Sequence, residues 1–512
     1  MTEPPRILTA SSSEHMLVER IAAQERQIAY DSLAPYEPRS ATYAWFDTLR
    51  AIEECINLIN VDWDDDEFEK RLFSLPLSSC VGFSPKFDLV RQRFIAQFSE
   101  NFANRFTNLV RYGAGAATAF GAHGFFKIAA AFSTVGSMID YLQSRRRHFI
   151  ALLHMIPQAC CGDKVVIPYD ALLVFLPMIE LTGIQLRSAQ NALNVKLSRA
   201  KLGLPQRDSA ELAMLDPLHL EPERAPITSM TVTGEALTMW DGREALSPDR
   251  LFSAAELRND VLLIESAYAE FDLKETDFAP AAGLIRRLSM TFIDRDFWVV
   301  VPPDDLAALF DEFKASSDLR SAFLHTGQTY LECLSTYAPF VVVDGVYRST
   351  VTLLSRFIYY WRGRSLDRRK RFQIRAGFIF ERAVANELER QKFVVQNVRR
   401  INRREFDVVT VRNGVIWNVQ CKNNFMDLDQ LESDATRFAK YNYRLVRAYE
   451  GALTKERNRE YLLREKLSLN EVQHMVVSRF PVVTDNARFV PYSRITDFAK
   501  IADAVMAHNA AS

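Results

Sequence analysis

The run FDVVTVRNGVIWNVQCKN, from Phe406 to Asn423, constrains the fold more than any other part of the chain. Two alternating apolar segments meet at Asn413-Gly414, and Asn-Gly is the dipeptide that best tolerates the paired positive φ angles of a type I′ hairpin turn. With a period of two, Asp407, Val409 and Val411 share one side of the first strand, and Gln420 and Lys422 share one side of the second. A carboxylate, an amide and an amine therefore converge on one strand pair, an arrangement suited to metal-dependent phosphodiester chemistry.

At 512 residues the chain has room for two to four domains, and its 48% hydrophobic and 25% charged composition is ordinary for a soluble globular protein. The six cysteines (Cys55, Cys80, Cys160, Cys161, Cys333 and Cys421) show no CxxC spacing. Reduced thiols in a cytoplasmic protein are the simpler reading. The N-terminus, MTEPPRILTASSSEH, lacks a basic segment leading into an apolar one, so no signal peptide is expected. Tyr112 to Phe126 is apolar but short of the roughly 20 residues a spanning helix needs, and Asp170 to Leu186 is interrupted by Glu180. Both read as buried helices, with no membrane span.

Net charge is −1, but fourteen Lys/Arg against four Asp/Glu fall between Arg362 and Arg404. Two clusters stand out: Arg368, Arg369, Lys370 and Arg371, and then Arg399, Arg400, Arg403 and Arg404. An isolated basic run is most often solvated surface. Beside a candidate phosphodiesterase hairpin it also suits a polyanion, because Arg grips phosphate with a bidentate fork.

Residues 1–204 read as an all-α unit, with apolar spacing of three and four over Leu17–Tyr30, Tyr43–Asn60, Phe87–Leu109, Phe125–Gln143 and Pro168–Ala200. The acidic run Asp62 to Glu67 suits a helix N-terminus better than a calcium loop. Gly113-Ala114-Gly115 lacks the third glycine and the Lys-Ser/Thr of a nucleotide loop. Four prolines between Pro205 and Pro226 mark a boundary. Residues 227–361 mix helical patterns with β-like runs at Phe297–Val301 and Phe340–Val343, and the lone His325 reads as a packing or capping residue. The third unit covers 366–508.

Upstream of the hairpin, Ile374, Phe378, Val384, Ala385 and Leu388 form a helical apolar stripe that also carries Glu381, and Gly377 would let that helix approach a strand. The expected order is helix (Ile374–Lys392), strand (Phe393–Val398), strand (Phe406–Arg412), strand (Val415–Lys422), helix (Leu428–Tyr449), helix (Lys455–Leu467), strand (His474–Phe480) and closing helix (Thr496–Met506). With Glu381 on the first helix, Asp407 on the second strand and Gln420-Cys421-Lys422 on the third, this α-β-β-β-α-β core resembles the restriction endonuclease-like PD-(D/E)XK nuclease superfamily. The pattern is similar to its Mrr-like branch, in which Gln-x-Lys replaces (Asp/Glu)-x-Lys. The fold class is thus multidomain: an all-α N-terminal region, a mixed and mostly α middle region, and a C-terminal α/β nuclease-like domain.

The resemblance implies a Mg²⁺-dependent (or Mn²⁺-dependent) endonuclease cleaving DNA, with RNA as a further candidate substrate. It implies Asp407 as the principal metal ligand, Gln420 offering its side-chain carbonyl, Glu381 adding a carboxylate, and Lys422 activating water or offsetting charge on the phosphorane. Restriction of foreign DNA or another defence role fits, as does assembly into a homo-oligomer. The competing reading keeps the fold without catalysis: a module that binds nucleic acid or assembles a complex. Phe406 stands where the family motif has Pro, and Glu405, after four arginines in six residues, reads as their ion-pair partner. Asp427, Asp429, Gln430, Glu432 and Asp434 suit the start of the next helix. Tyr441, Tyr443, Arg444 and Arg447 read as packing and surface residues.

Overall fold

The computed structural model describes residues 27–61, 63–82, 84–206, 253–295, 297–366, 369–424 and 434–511. Most of these are helical, with small sheets in the middle and C-terminal regions. From residue 27 to 206 the described elements are helices. Two expected helices are each broken by a capping residue. Phe87–Leu109 divides into Pro85–Gln97 and Glu100–Ala122, because the Ser99 side chain accepts the Phe102 N–H. Phe125–Gln143 divides at Thr134, which forms a reciprocal capping box with Ser137 and starts the helix Val135–Ala159. The acidic run does begin a helix: Asp65 accepts the Glu67 and Phe68 N–H groups at 3.0 Å ahead of Asp66–Ser74. Gly113 lies inside Glu100–Ala122, where an added Cβ would stand 2.9 Å from Met138 Sδ, so this glycine permits close helix packing.

Asp170–Leu202 is the one helix among the described residues long and apolar enough to cross a membrane, yet 61% of its most apolar window is buried. Its Glu180 sits in a π turn, Ile179–Gly183, and accepts hydrogen bonds from Arg145 at 2.6 Å and Tyr141 at 2.7 Å inside the bundle.

The middle region forms a small antiparallel sheet from β1 (Ile293–Asp294), β2 (Trp298–Val301), β3 (Val341–Val343) and β4 (Val346–Thr350), in the order β1-β2-β4-β3. β2 and β3 match the expected apolar runs. β4 was not expected, although Asp344-Gly345, with φ of 54° and 72°, is itself a hairpin turn signal.

The C-terminal sheet has the order β11-β10-β9-β8-β5, from β5 (Val394–Val395), β8 (Val408–Arg412), β9 (Val415–Lys422), β10 (Val472–Ser478) and β11 (Phe489–Pro491). β5, β8 and β9 pair antiparallel, whereas β10 and β11 add in parallel after a helical crossover. Asn413 and Gly414 take φ of 54° and 77°, which sets the Arg412–Val415 register. A separate ribbon, β6 (Arg400–Ile401) with β7 (Arg404–Glu405), rises from the arginine-rich segment before β8.

Helices cover both faces of this sheet. Val408, Trp417, Val419 and Met475 pack with Phe380, Val384 and Leu388 of the helix Lys370–Arg390 and with Phe498 of the closing helix Phe498–Ala511. On the other face Val409 and Ile416 meet Leu462 and Leu463 of Glu460–Leu467. The helix Ala435–Arg457 packs on Ile184–Leu202, so one buried apolar cluster runs from Ala29 through the middle region to Phe489.

Candidate active site

β8 and β9 place the polar residues first. Val408 pairs with Val419, so the next rung sets Asp407 opposite Gln420. Asp407 occupies a bend just before β8, and its Oδ2 accepts the Cys421 N–H at 2.8 Å. That bond ties the carboxylate to the strand carrying Gln420. Two residues on, Lys422 Nζ donates to Gln420 Oε1 at 3.3 Å, as expected for neighbours on one side of a strand. Gln420 is only 7% exposed, and its Nε2 has no hydrogen-bond partner among the described residues.

Glu381 arrives from the helix Lys370–Arg390 on a different footing from the one its sequence suggested. The expected apolar stripe divides. Val384 and Leu388 are buried and Ala385 partly so, but Ile374 and Phe378 are 49% and 45% exposed. Gly377 faces open space, with no atom within 4 Å of an added Cβ, so it makes no close approach to a strand. Glu381 stands at the edge between the two faces, half-buried, and its carboxylate accepts no hydrogen bond from the described residues. It shares a pocket of about 320 Å³ with Asp407, between the helix and residues 395–399.

The electrostatics follow from this placement. Burial, and then the neighbouring Asp407 carboxylate, push Glu381 up to about 8, against the pull of Arg399 and Lys422. Burial also raises Asp407, opposed by Lys422 and by the Cys421 N–H. Two carboxylates that disfavour each other's charge in a partly dehydrated pocket make a site that a cation would relieve.

The donor set fits a hard cation. It offers two carboxylates and an amide oxygen with a second lone pair beyond the one facing Lys422. Among the described residues no group of three or more His, Cys, Asp or Glu gathers as a metal cluster.

The basic residues divide into two places. Arg399, Arg400, Arg403 and Arg404 are exposed on or beside the β6–β7 ribbon, whose turn residues Asn402 and Arg403 have φ of 45° and 63°. Arg399 lies over the Phe378 ring at 5.9 Å and lines the carboxylate pocket. Arg400 pairs across the ribbon with Glu405, which is thus an ion-pair partner of the arginines. The other cluster lies at the far end of the helix, about 16 Å from Glu381 at 1.5 Å per residue. There Arg369 donates to the Glu275 carbonyl at 2.6 Å and Arg371 lies over Phe271 and Phe372, so both contact the middle or adjoining segments. Lys370 is exposed, and Arg368 lies outside the described residues. So do Asp427, Asp429, Gln430 and Glu432. Asp434 caps Ala435–Arg457, Arg447 pairs with Glu450, and Tyr443 lies under Lys201.

A polar network that the sequence analysis did not single out centres on Asn418, on the same side of β9 as Gln420 and Lys422. Asn418 Nδ2 donates to Glu456 at 2.8 Å, Arg459 forms an ion pair with Glu456, and Arg459 Nη2 donates to the Glu405 carbonyl at 2.6 Å. Asn418 also meets His474 Nδ1 at 3.2 Å, and His474 Nε2 reaches Glu460 at 3.0 Å. The available signal was the polar period-two series Asn418, Gln420, Lys422 on a strand otherwise apolar. His325 is a packing residue: its Nε2 lies 3.3 Å from Cys333 Sγ and its ring 5.0 Å from that of His154.

The chain matches no family model, no curated protein and no solved structure.

Proposed function

We propose that the C-terminal region is a metal-dependent nuclease centre that hydrolyses DNA phosphodiester bonds. The observation that carries this reading is the pair Glu381 and Asp407: two carboxylates in one pocket, Glu381 without a hydrogen-bond partner among the described residues, beside an ammonium and an exposed arginine ribbon. The succession of the helix Lys370–Arg390, β5, β8, β9, a helical crossover and β10 supports the resemblance to the restriction endonuclease-like superfamily.

Asp407, Glu381 and the Gln420 amide oxygen would hold Mg²⁺ or Mn²⁺. When bound, the ion supplies Lewis-acid polarisation of a phosphate oxygen. Lys422, fixed on Gln420 Oε1, stands where an ammonium can orient the attacking water and offset charge developing on phosphorus. Arg399 neutralises the approaching backbone from the pocket rim. Restriction of foreign DNA is a role consistent with a nuclease centre tied to large helical regions that choose substrate or partner.

One observation favours a second reading. Gln420 brings no charge, and Lys422 already occupies its oxygen, so the region could bind nucleic acid without cutting it. Incubating plasmid and single-stranded DNA with Mg²⁺ and the wild type, Asp407→Ala or Lys422→Ala separates the two. The nuclease reading expects cleavage by the wild type and a loss of about 100-fold or more in each variant. Equal cleavage by both variants overturns the site, and binding without cleavage by any protein favours the second reading.

A further inference from the structure

The pocket that holds Glu381 and Asp407 has more in it than these two carboxylates: Arg382 and a third carboxylate, Glu389, also line it. At about 320 Å³ it lies at the lower end of the range for small-ligand sites. Asn386 comes from the helix Lys370–Arg390 and Asn397 from the opposite wall; neither amide makes a hydrogen bond within the described residues. Gln396 also lines the pocket, with Nε2 bonded to the Val394 carbonyl and Oε1 left without a partner among the described residues. At the rim, the exposed Phe378 ring carries the Arg399 guanidinium over its face at 5.9 Å.

These groups have one ligand chemistry in common. Side-chain amides match the donor and acceptor edge of a nucleobase, an exposed aromatic offers it a stacking face, and arginine meets the phosphate. In an intact duplex those base edges are already paired, and the stacked faces are closed. A single extruded or unpaired nucleotide can place its base in a concave pocket while its phosphate stays at the rim beside the carboxylates.

Resting on the nuclease reading of this site, we infer that the pocket formed by Asn386, Gln396, Asn397 and the Phe378–Arg399 ledge receives one unpaired nucleotide next to the scissile phosphate. The preferred substrate is then single-stranded or locally opened DNA rather than uninterrupted duplex. The β6–β7 ribbon supplies the alternative, since a two-stranded ribbon can enter a duplex major groove. The ribbon has only two residues per strand, however, and its Arg400 is already held by Glu405.

The test is binding by the full-length chain in EDTA, which removes cleavage from the measurement. Fluorescence anisotropy with a labelled 15-nucleotide strand and with the blunt duplex of the same sequence should show at least tenfold tighter binding of the single strand. Asn386→Trp, which fills the pocket, should bring the single strand down to the duplex level. Asn386→Ala removes the amide without crowding and should weaken single-strand binding several-fold at an unchanged melting temperature. Equal or tighter binding of the duplex by the wild type overturns the inference, as does a strand preference that survives both substitutions. The nuclease reading fails separately: a strand preference in EDTA with no cleavage in Mg²⁺ removes catalysis and keeps the pocket, whereas duplex cleavage without a strand preference does the reverse.

Discussion

Glu381 keeps its proton well above the ordinary carboxylate range, because burial and the Asp407 carboxylate both oppose its charge. Its folded pKa, pushed up to about 8, exceeds its ordinary value of 4.5. Its contribution to stability is therefore fully present below pH 4.5 and is lost as pH rises through about 8. In EDTA the wild type should lose more melting temperature between pH 6 and pH 9 than Glu381→Gln does. Allowing for solvent screening, that difference is on the order of 1–2 kcal/mol. Added Mg²⁺ should close the gap by giving the ionised carboxylate a partner. Identical pH profiles for the two proteins in EDTA would remove the strain assigned to this group. Gln420 makes the complementary case. Under the proposed nuclease reading, Gln420→Glu adds a charge on the strand opposite Asp407, and should lower the Mg²⁺ concentration for half-maximal activity about tenfold, equivalent to about 1.4 kcal/mol. A Mg²⁺ titration of cleavage that does not shift would take Gln420 out of the ligand set. These residues differ in how far the sequence exposed them. Gln420 and Lys422 were legible because a strand's period is exact, whereas Glu381 was placed on a buried stripe because a list of apolar positions does not say which of them a helix leaves in water. Ile374 and Phe378 are as apolar as Leu388, and only the packed sheet distinguishes them.

At the scale of elements, the hairpin β8–β9 is shaped by its own turn and then fixed from outside. Asn413-Gly414 sets its register, and Arg459, over the Phe406 ring and bonded to the Glu405 carbonyl, fixes the entry to Asp407. Glu456 is almost wholly buried, so Arg459→Ala would leave a carboxylate without its ion pair. The expected cost is about 3–5 kcal/mol, as for breaking one side of a buried pair. The double change Arg459→Met with Glu456→Met should recover most of it. Thermal melting of the three variants checks this, and a single variant as stable as the wild type would show that the pair carries no structural weight. The hairpin was readable from a local rule. The network around Asn418 was not, because Asn418, Glu456 and His474 meet only after two helices have crossed the sheet. The division of the N-terminal helices at Ser99 and Thr134 falls between these cases: the capping residues are visible in the chain, but the apolar spacing continues through them and masks the break.

For the whole molecule, the decisive element is the helix Ile184–Leu202, whose polar residues are buried rather than turned to solvent. Gln190, Asn191, Asn194, Ser198 and Arg199 are all buried on this helix, which packs against Ala435–Arg457. Polar residues at helical spacing ordinarily mark a wet face; here they mark the seam between the N-terminal helices and the C-terminal sheet region. Nothing local in the sequence announces a partner 286 residues away, yet Arg199 forms bonds of 2.8 and 3.0 Å to the two Asp485 oxygens and a third, of 2.6 Å, to the Pro205 carbonyl. A guanidinium withdrawn from water in this way must hold its partners or disrupt the seam. Asp485 remains partly exposed, so the loss on Arg199→Ala should be smaller than for the fully buried Arg459 pair, about 1–3 kcal/mol. The change should also be directional. Hydrogen exchange should speed up in Ala435–Arg457 and in Ile184–Leu202 together, while the amides of β8, on the far side of the sheet order, keep their protection. Exchange that rises across the entire chain would instead mean that Arg199 supports one indivisible unit. Exchange unchanged in both helices would mean that the seam is held by its apolar contacts alone.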